Sequence, residues 1–238
     1  IGDINDAVNT SIETLIAEAS LPGRININET DTILLSDVDV QAGAIFVDAG
    51  GTITHDQVFA VDTTGGPVSD SIIDLDSATG SIVKQDAGSL IDGAQLFMEA
   101  EVGIDVLTQV DFLSANISGL LGDITVREVD SLAVRVVNTP DGTFDLFVND
   151  RIDIDPAVVL PTPHVTANVM ILDSVNGIAT AGGFLNTSSD IIDAYARTSG
   201  GIFINNLKDV ELREFRANDG AISVTNEGDI LATDIRIA

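Results

Sequence analysis

The sequence contains no cysteine and no tryptophan, and Tyr195 is its single tyrosine. Without cysteine, the chain can form no disulfide, thiolate metal site or iron–sulfur cluster, and thiol catalysis is excluded. This absence leaves the compartment open, because an exported protein need not contain disulfides. No apolar run approaches the roughly 18 residues of a membrane-spanning helix, so we expect no membrane span.

Basic residues are also scarce: 10 Lys+Arg stand against 38 Asp+Glu, which gives a formal net charge of −28. Such a surface repels phosphate groups, so we expect no binding to nucleic acid or to anionic membranes. The self-repulsion keeps the protein soluble and suits a salty or calcium-rich medium, in which it is screened.

Aromatic residues make up only 4% of the chain, although hydrophobic residues make up 45%. The mean hydropathy of +0.31 makes a packed core feasible and disorder unexpected. The core must therefore be built from Ile, Val, Leu and Ala.

Five apolar positions recur along the chain at offsets of 0, 2, 8, 10 and 13 residues. Copies at 25–38 and 202–215 each return 20 residues later, at 45–58 and 222–235, and a fifth copy covers 124–137. Repetition at a fixed period is the signature of a repeat architecture. The frame residues, which we predict to point into the core, are Ile25, Ile27, Ile33, Leu35, Val38, Ile45, Val47, Ile53, Val58, Ile124, Val126, Leu132, Val134, Val137, Ile202, Ile204, Val210, Leu212, Phe215, Ile222, Val224, Ile230 and Ile235, with Ala232 and the polar His55 at the two remaining positions.

The geometry that fits this frame is a solenoid. Two-residue spacing is typical of a strand, because alternate side chains point to one face. Turn-forming residues lie between the paired positions, as at 28–31, 48–51 and 226–229. One period cannot bury its apolar face alone, whereas stacked periods form a continuous core. We therefore predict an all-β fold, a right-handed parallel β-helix (β-solenoid) with coils of about 20 residues.

Residues 4–19 permit two interpretations. Apolar residues spaced by three or four favour an amphipathic helix when the segment is read alone. The same segment parallels 108–118, which leads into a frame copy, and this parallel favours a strand. We predict a strand.

Several stretches resemble the filamentous haemagglutinin-type β-helix of large exported bacterial adhesins and giant surface proteins. They are 80–93 (GSIVKQDAGSLIDG), 103–104, 110–115 and 122–126, and 221–235 is similar to the commonest rung of that family. The resemblance implies an extracellular or bacterial cell-surface location. It implies no catalytic residues, because members of the family share no catalytic motif.

The pattern predicts a single solenoid segment over 1–238, with irregular insertions or divergent coils at about 59–80 and 143–177. The second stretch contains three prolines, Pro156, Pro161 and Pro163. Since the chain begins at Ile1 and ends in strand-like alternation, we expect it to be a fragment of a longer protein.

Asp150, Asp153 and Asp155 are the candidate calcium ligands, because carboxylates are preferred by this ion. Asp153 and Asp155 are expected to share the outer face of a strand. The alternative is a solvated outer face, with Arg151 beside them. We expect no other cofactor.

Nothing in the sequence resembles a nucleophile elbow or a phosphate-binding loop. His55 occupies an inward slot of the frame and His164 lies in a proline-rich loop, so neither is a strong catalytic candidate. We expect a non-enzymatic extracellular structural or adhesive rod, part of a large surface or filament-forming protein. Its expected partners are further repeats or neighbouring copies joined end to end, and surface glycans or a host or neighbouring cell surface. A carbohydrate-active β-helix enzyme (hydrolase or lyase) and a calcium-dependent binding module are the alternatives.

Overall fold

The computed structural model describes residues 7–20, 23–61, 70–158 and 162–237. These residues form 19 strands and no helix. The fold is a parallel β-solenoid of about 11 turns with coils of about 20 residues. The predicted all-β solenoid is therefore confirmed.

The chain divides into two compact units, one of residues 1–111 and 115–122 and the other of residues 112–114 and 123–238. The first unit contains β1 (Val8–Thr10), β2 (Thr14–Ala19), β3 (Arg24–Glu29), β4 (Ile33–Gln41), β5 (Ala44–Ala49), β6 (Ile53–Val61), β7 (Ile72–Ser77), β8 (Ser81–Lys84), β9 (Leu90–Ala100) and most of β10 (Gly103–Ile117). The second contains β11 (Ile124–Glu128), β12 (Leu132–Val148), β13 (Ile152–Ile154), β14 (Val165–Ser174), β15 (Leu185–Ala196), β16 (Ile202–Asn206), β17 (Val210–Ala217), β18 (Ile222–Asn226) and β19 (Ile230–Ile237).

In the first unit each strand pairs with the equivalent strand of the next coil. Ile25 of β3 is paired with Ile45 of β5, which is paired with Ile73 of β7. The irregular stretch predicted at 59–80 lies partly outside the described residues, at 62–69. Within it, β7 keeps the register of β5 without a shift.

In the second unit the strands β11, β12, β14, β15, β17 and β19 pair in that order, and β15, β16 and β18 form a shorter series. The irregular stretch predicted at 143–177 includes β14, which pairs with strands on both sides. Residues 159–161 and with them Pro161 lie outside the described residues.

The core follows the alternation of each strand. Nineteen frame residues are at most 5% exposed, from Ile25 through Val137 and from Ile202 through Phe215. The frame residues of β18 and β19 differ from the prediction: Ile222 and Val224 are half-buried, and Ile230 and Ile235 are 47% and 46% exposed. Within the described residues, only β16 and β17 stack on these two strands, so one side of the pair stays uncovered.

The described part of 4–19 is extended. It forms β1 and β2, which pair in parallel with β3 and β4. Residues 4–6 lie outside the described residues. Leu15 faces Leu35 across this pairing, and a register shift follows at once. The strand interpretation is therefore confirmed for 8–10 and 14–19.

Stacked glycines shape one corner of the second unit. Gly200 has φ +80° and Gly220 has φ +141°, a range that L side chains rarely adopt. A Cβ on Gly220 would approach the backbone of Gly200 to 2.5 Å. Only glycine fits this corner, because the turns of neighbouring coils touch through their backbones.

Candidate binding surface

Glu29 is a buried acid that caps a corner. Its carboxylate accepts hydrogen bonds from Thr10 Oγ1 (2.6 Å), the Ile12 N–H (2.9 Å) and the Thr30 N–H (2.8 Å). Burial alone would raise the pKa of Glu29, but these hydrogen bonds outweigh it and lower the pKa to about 2. Glu128 holds the same frame position, is 1% exposed and accepts from the Val129 N–H at 2.8 Å. These acids stabilise turns and are not free to act on a substrate.

Asn206 fills the equivalent position in a later coil and is fully buried. Its Oδ1 accepts from Thr187 Oγ1 at 2.8 Å and from the Ser189 N–H at 2.9 Å. Its Nδ2 donates to the Lys208 carbonyl at 2.7 Å and to Asn226 Oδ1 at 3.1 Å. One amide therefore ties three successive coils together. The sequence frame counted apolar residues only, so this polar position was missed.

His55 lies in the core of the first unit without a shift of register. Its side chain is fully buried. Its Cα partners on the two neighbouring strands are Leu35 and Lys84. Its Nδ1 lies 3.4 Å from the Asp56 carbonyl, and its Nε2 has no hydrogen-bond partner. Burial lowers the pKa of His55 to about 4, so the ring is neutral at pH 7.

His164 is also buried, in the second unit. Its Nδ1 accepts a hydrogen bond from the Asn186 N–H at 3.1 Å, which assigns the ring proton to Nε2. Burial lowers the pKa of His164, although the charge of Asp155 opposes this effect. The two histidines are thus buried at separate positions, His55 in the first unit and His164 in the second.

The three candidate calcium ligands have separate partners. Asp150 accepts from Ser131 Oγ and Asn176 Nδ2, both at 2.6 Å, and Asp153 pairs with Arg151 at 2.9 Å. Asp155 pairs with the Nε of Arg135 at 2.5 Å.

The sequence predicted that Asp155 shares the outer face of Asp153, and this prediction is wrong. It is 3% exposed, because β13 ends at Ile154 and the chain then turns at Pro156. Hydrogen bonds from Arg135 and the Ala157 N–H lower the pKa of Asp155 against the effect of burial, which would raise it. Among the described residues, no group of three or more His, Cys, Asp or Glu side chains could hold a metal ion.

Nearly all the basic side chains of the protein form ion pairs. At least nine of the ten Lys and Arg residues pair with a carboxylate. Many of these pairs join neighbouring coils, as Arg127 does to Asp145 at 2.7 Å. The tenth cation, Arg24, lies 3.7 Å from the centroid of the Phe46 ring.

One outer face of the first unit carries stacked acids. Asp48 of β5 is the Cα partner of Asp76 of β7, which is the partner of Glu99 of β9. Burial, Glu99 and Asp48 all raise the pKa of Asp76. Burial and three neighbouring acids likewise raise the pKa of Asp74, and Arg24 opposes them. This acidic column, defined as Asp48, Asp76 and Glu99, repels itself at neutral pH.

A contrasting column lies on an outer face of the second unit. The register aligns, in successive coils, Arg127, Phe147, Asp173, Tyr195, Arg216 and Arg236. We call this series the mixed column. Two residues earlier in the same strands, a second column aligns Thr125, Asp145, Ile171, Asp193, Glu214 and Asp234.

Ion pairs within and beside the mixed column balance its charge. Arg197 pairs with Asp173 through both Nε and Nη2, and its guanidinium lies 5.7 Å from the Phe147 ring centroid. A β-bulge between β15 and β17 places Arg213 against Asp193. Five arginines here face five carboxylates, the arginines being Arg127, Arg197, Arg213, Arg216 and Arg236 and the carboxylates Asp145, Asp173, Asp193, Glu214 and Asp234.

A groove opens beside the mixed column where β15 and β17 end. It has a volume of about 410 Å³ and is lined by Tyr195, Ala196, Arg197, Arg216 and Asn218. Tyr195 donates its hydroxyl hydrogen to Glu214 Oε2 at 2.7 Å. Burial and this hydrogen bond raise the pKa of Tyr195 to about 12, so it remains a neutral donor.

The sequence did not reveal this groove. The residues that line it do not follow the regular spacing of the frame. Tyr195 aligns with Arg216 only because of the bulge at Arg213. The one available signal was the crowding of half the cations of the chain into 197–236.

No helix in the described part of the chain is long and apolar enough to cross a membrane. The chain matches no protein-family model, no curated protein and no solved structure.

Proposed function

We propose that this chain is a non-enzymatic structural and adhesive segment of a large extracellular protein on a bacterial surface or in a filament. The observation that carries the proposal is that the polar side chains make contacts within and between the coils. Interior acids and amides, such as Glu29 and Asn206, cap turns and join coils. Surface cations are engaged in ion pairs, many of them between coils.

Stacking of equivalent residues also supports the proposed partners, which are further repeats or neighbouring copies joined end to end. Ile230 and Ile235 follow the frame that is buried in other coils, yet both are exposed. A further coil of the same pattern would find matching apolar contacts on them. The resemblance to haemagglutinin-type repeats points the same way and supports a cell-surface location.

A carbohydrate-active enzyme is the alternative that one observation favours. The groove at Tyr195 lies beside several carboxylates, including Asp173 and Glu214, and glycosidases act through carboxylate pairs. Asp173 and Glu214 are each held by an arginine. All four carboxylate oxygens are engaged in this way, those of Asp173 by Arg197 and those of Glu214 by Arg216 and Tyr195.

Incubation with a panel of polysaccharides, with and without calcium, separates these functions. We expect binding without release of new reducing ends. Release of reducing ends would overturn the structural proposal in favour of an enzyme. Binding that requires calcium would instead favour a calcium-dependent module.

The proposed location has its own test. Antibody raised against this chain should label intact cells of the source organism, and external protease should remove the label. Labelling only after permeabilisation would contradict the extracellular proposal.

A further inference from the structure

We propose that the groove lined by Tyr195, Arg197, Arg216 and Asn218 binds an uncharged polysaccharide. The proposal rests on the adhesive function proposed above, for which it names a site and a class of ligand. The polysaccharide chain would lie against the ends of β15 and β17.

Tyr195 supplies the stacking surface of the site. Its side chain is half-buried, and its hydroxyl is fixed by Glu214 at 2.7 Å, so the ring has little freedom to lose on binding. An aromatic ring beside a few fixed polar groups is the composition of small-molecule sites. The apolar face of a sugar ring can pack on such a surface.

Arg197 and Arg216 supply fixed hydrogen-bond donors. Arg197 uses Nε and Nη2 on Asp173, which leaves Nη1 for a ligand. Arg216 contacts Glu214 and Asp234 through Nη2, which leaves Nε and Nη1. Because these side chains are held in advance by ion pairs, a ligand need not pay to order them.

Asn218 and the nearby carboxylates supply acceptors. Asn218 donates through Nδ2 to the Arg197 carbonyl, so its Oδ1 remains an acceptor. Sugar hydroxyls both donate and accept, and they match a surface that offers donors and acceptors side by side.

The charge pattern decides between an uncharged and an anionic polymer. The five arginines around the mixed column are matched by five carboxylates, so no cation is left in excess. The chain as a whole carries −28 and repels polyanions. An uncharged polymer escapes this repulsion, and its binding should change little with salt.

The repeat of the solenoid suits an extended ligand. Phe147 lies two strands from Tyr195 in the mixed column, which corresponds to about 10 Å at the usual strand spacing. A polymer running along the column would meet a ring, an ion pair and a second ring in succession.

The test is affinity electrophoresis and calorimetry of the whole chain with hydroxyethylcellulose, galactomannan and dextran, and with polygalacturonate as the anionic probe. We expect at least one uncharged polymer to bind, equally at low and high salt. Tyr195→Ala should weaken that binding at least tenfold and Arg197→Gln should weaken it several-fold. Tyr195→Phe should retain most of it, because the ring remains.

Arg151→Gln is the matched control, since Arg151 is also exposed and paired with a carboxylate but does not line the groove. It should bind like the unaltered chain, and all variants should keep the same strand signal in circular dichroism. The site is overturned if no uncharged polymer binds, if only polygalacturonate binds, or if Tyr195→Ala binds normally. It is also overturned if Arg216→Gln abolishes self-association in sedimentation, because the surface would then join copies.

These outcomes separate the two proposals. If a polymer binds and the groove variants have no effect, the site is wrong and the adhesive function stands. If the groove variants abolish a polymer-cleaving activity, the site is right and the non-enzymatic function is wrong.

Discussion

Asp76 and Glu99 are directly opposed on neighbouring coils, and Asp48 opposes Asp76 from the other side. Like charges opposite one another in a sheet are destabilising. Burial also disfavours the ionised carboxylate of Asp76, and burial, Glu99 and Asp48 together raise its pKa. The acidic column therefore lowers the stability of the first unit at neutral pH.

Asp76→Asn should raise the free energy of unfolding by about 0.2–1 kcal/mol at low ionic strength. The gain should shrink in about 1 M salt, where the Debye length falls to about 3 Å. Urea unfolding in the two buffers measures it. Asp141→Asn removes the same charge at an exposed position and should change little; equal gains from both variants would refute the local repulsion.

His55 should make the first unit sensitive to mild acid. Its pKa is about 4 in the folded chain against 6.5 for an ordinary histidine, so the unfolded chain takes up a proton first as pH falls. The stability is fully present above pH 6.5 and is lost progressively toward pH 4, by about 3 kcal/mol.

His55→Leu should remove this loss, and the difference between variant and unaltered chain isolates it from other titrating groups. Urea unfolding at several pH values between 4 and 7 measures the difference. A difference that does not change with pH would show that His55 is not the sensor.

Glu29→Ala should destabilise the first corner of the chain. The substitution removes the acceptor of the Ile12 and Thr30 N–H groups, at about 0.5–1.5 kcal/mol for each hydrogen bond lost, because both residues are exposed and water can replace part of the contact. Because the folded pKa is about 2 and the ordinary value is 4.5, the contribution of the carboxylate is present above pH 4.5 and fades as pH falls to 2. Hydrogen exchange of the Ile12 and Thr30 amides measures the local effect, and Glu18→Ala, an exposed change in β2, is the control. Unaltered protection would contradict the capping role.

Asn206→Leu should lower the stability of the fold strongly, although the two side chains are similar in size. It strips Thr187 Oγ1 and the Ser189 N–H of their acceptor, at about 1–3 kcal/mol for each. Asn205→Leu changes the neighbouring outward residue and serves as the matched control. Thermal unfolding should separate the two variants clearly; similar midpoints would mean that the buried amide does not join the coils.

The fold was largely predictable because apolar spacing determines which residues stack. Ile202 and Ile222 share a frame position in the sequence and are Cα partners in the structure. The alternation of strands needs no knowledge of distant contacts, since each coil pairs with its neighbours.

The candidate surface was not predictable from the same frame. The outward alignment of Tyr195 with Arg216 depends on a bulge, and the inward turn of Asp155 depends on where β13 ends. Partner choice on the outer face, such as Arg127 with Asp145, follows from register between coils rather than from neighbours in the chain.

The pairing of β5 with β7 has a consequence for how such a chain can change. Ile45 and Ile73 are partners 28 residues apart (45 to 73), where Ile25 and Ile45 are 20 apart (25 to 45), and the register is the same. A gene of this design can therefore gain codons between two strands while selection on the sheet positions continues undisturbed. The connection between β6 and β7 is the natural place to graft a foreign epitope or an affinity tag, because both strands are already matched in register to the preceding coil.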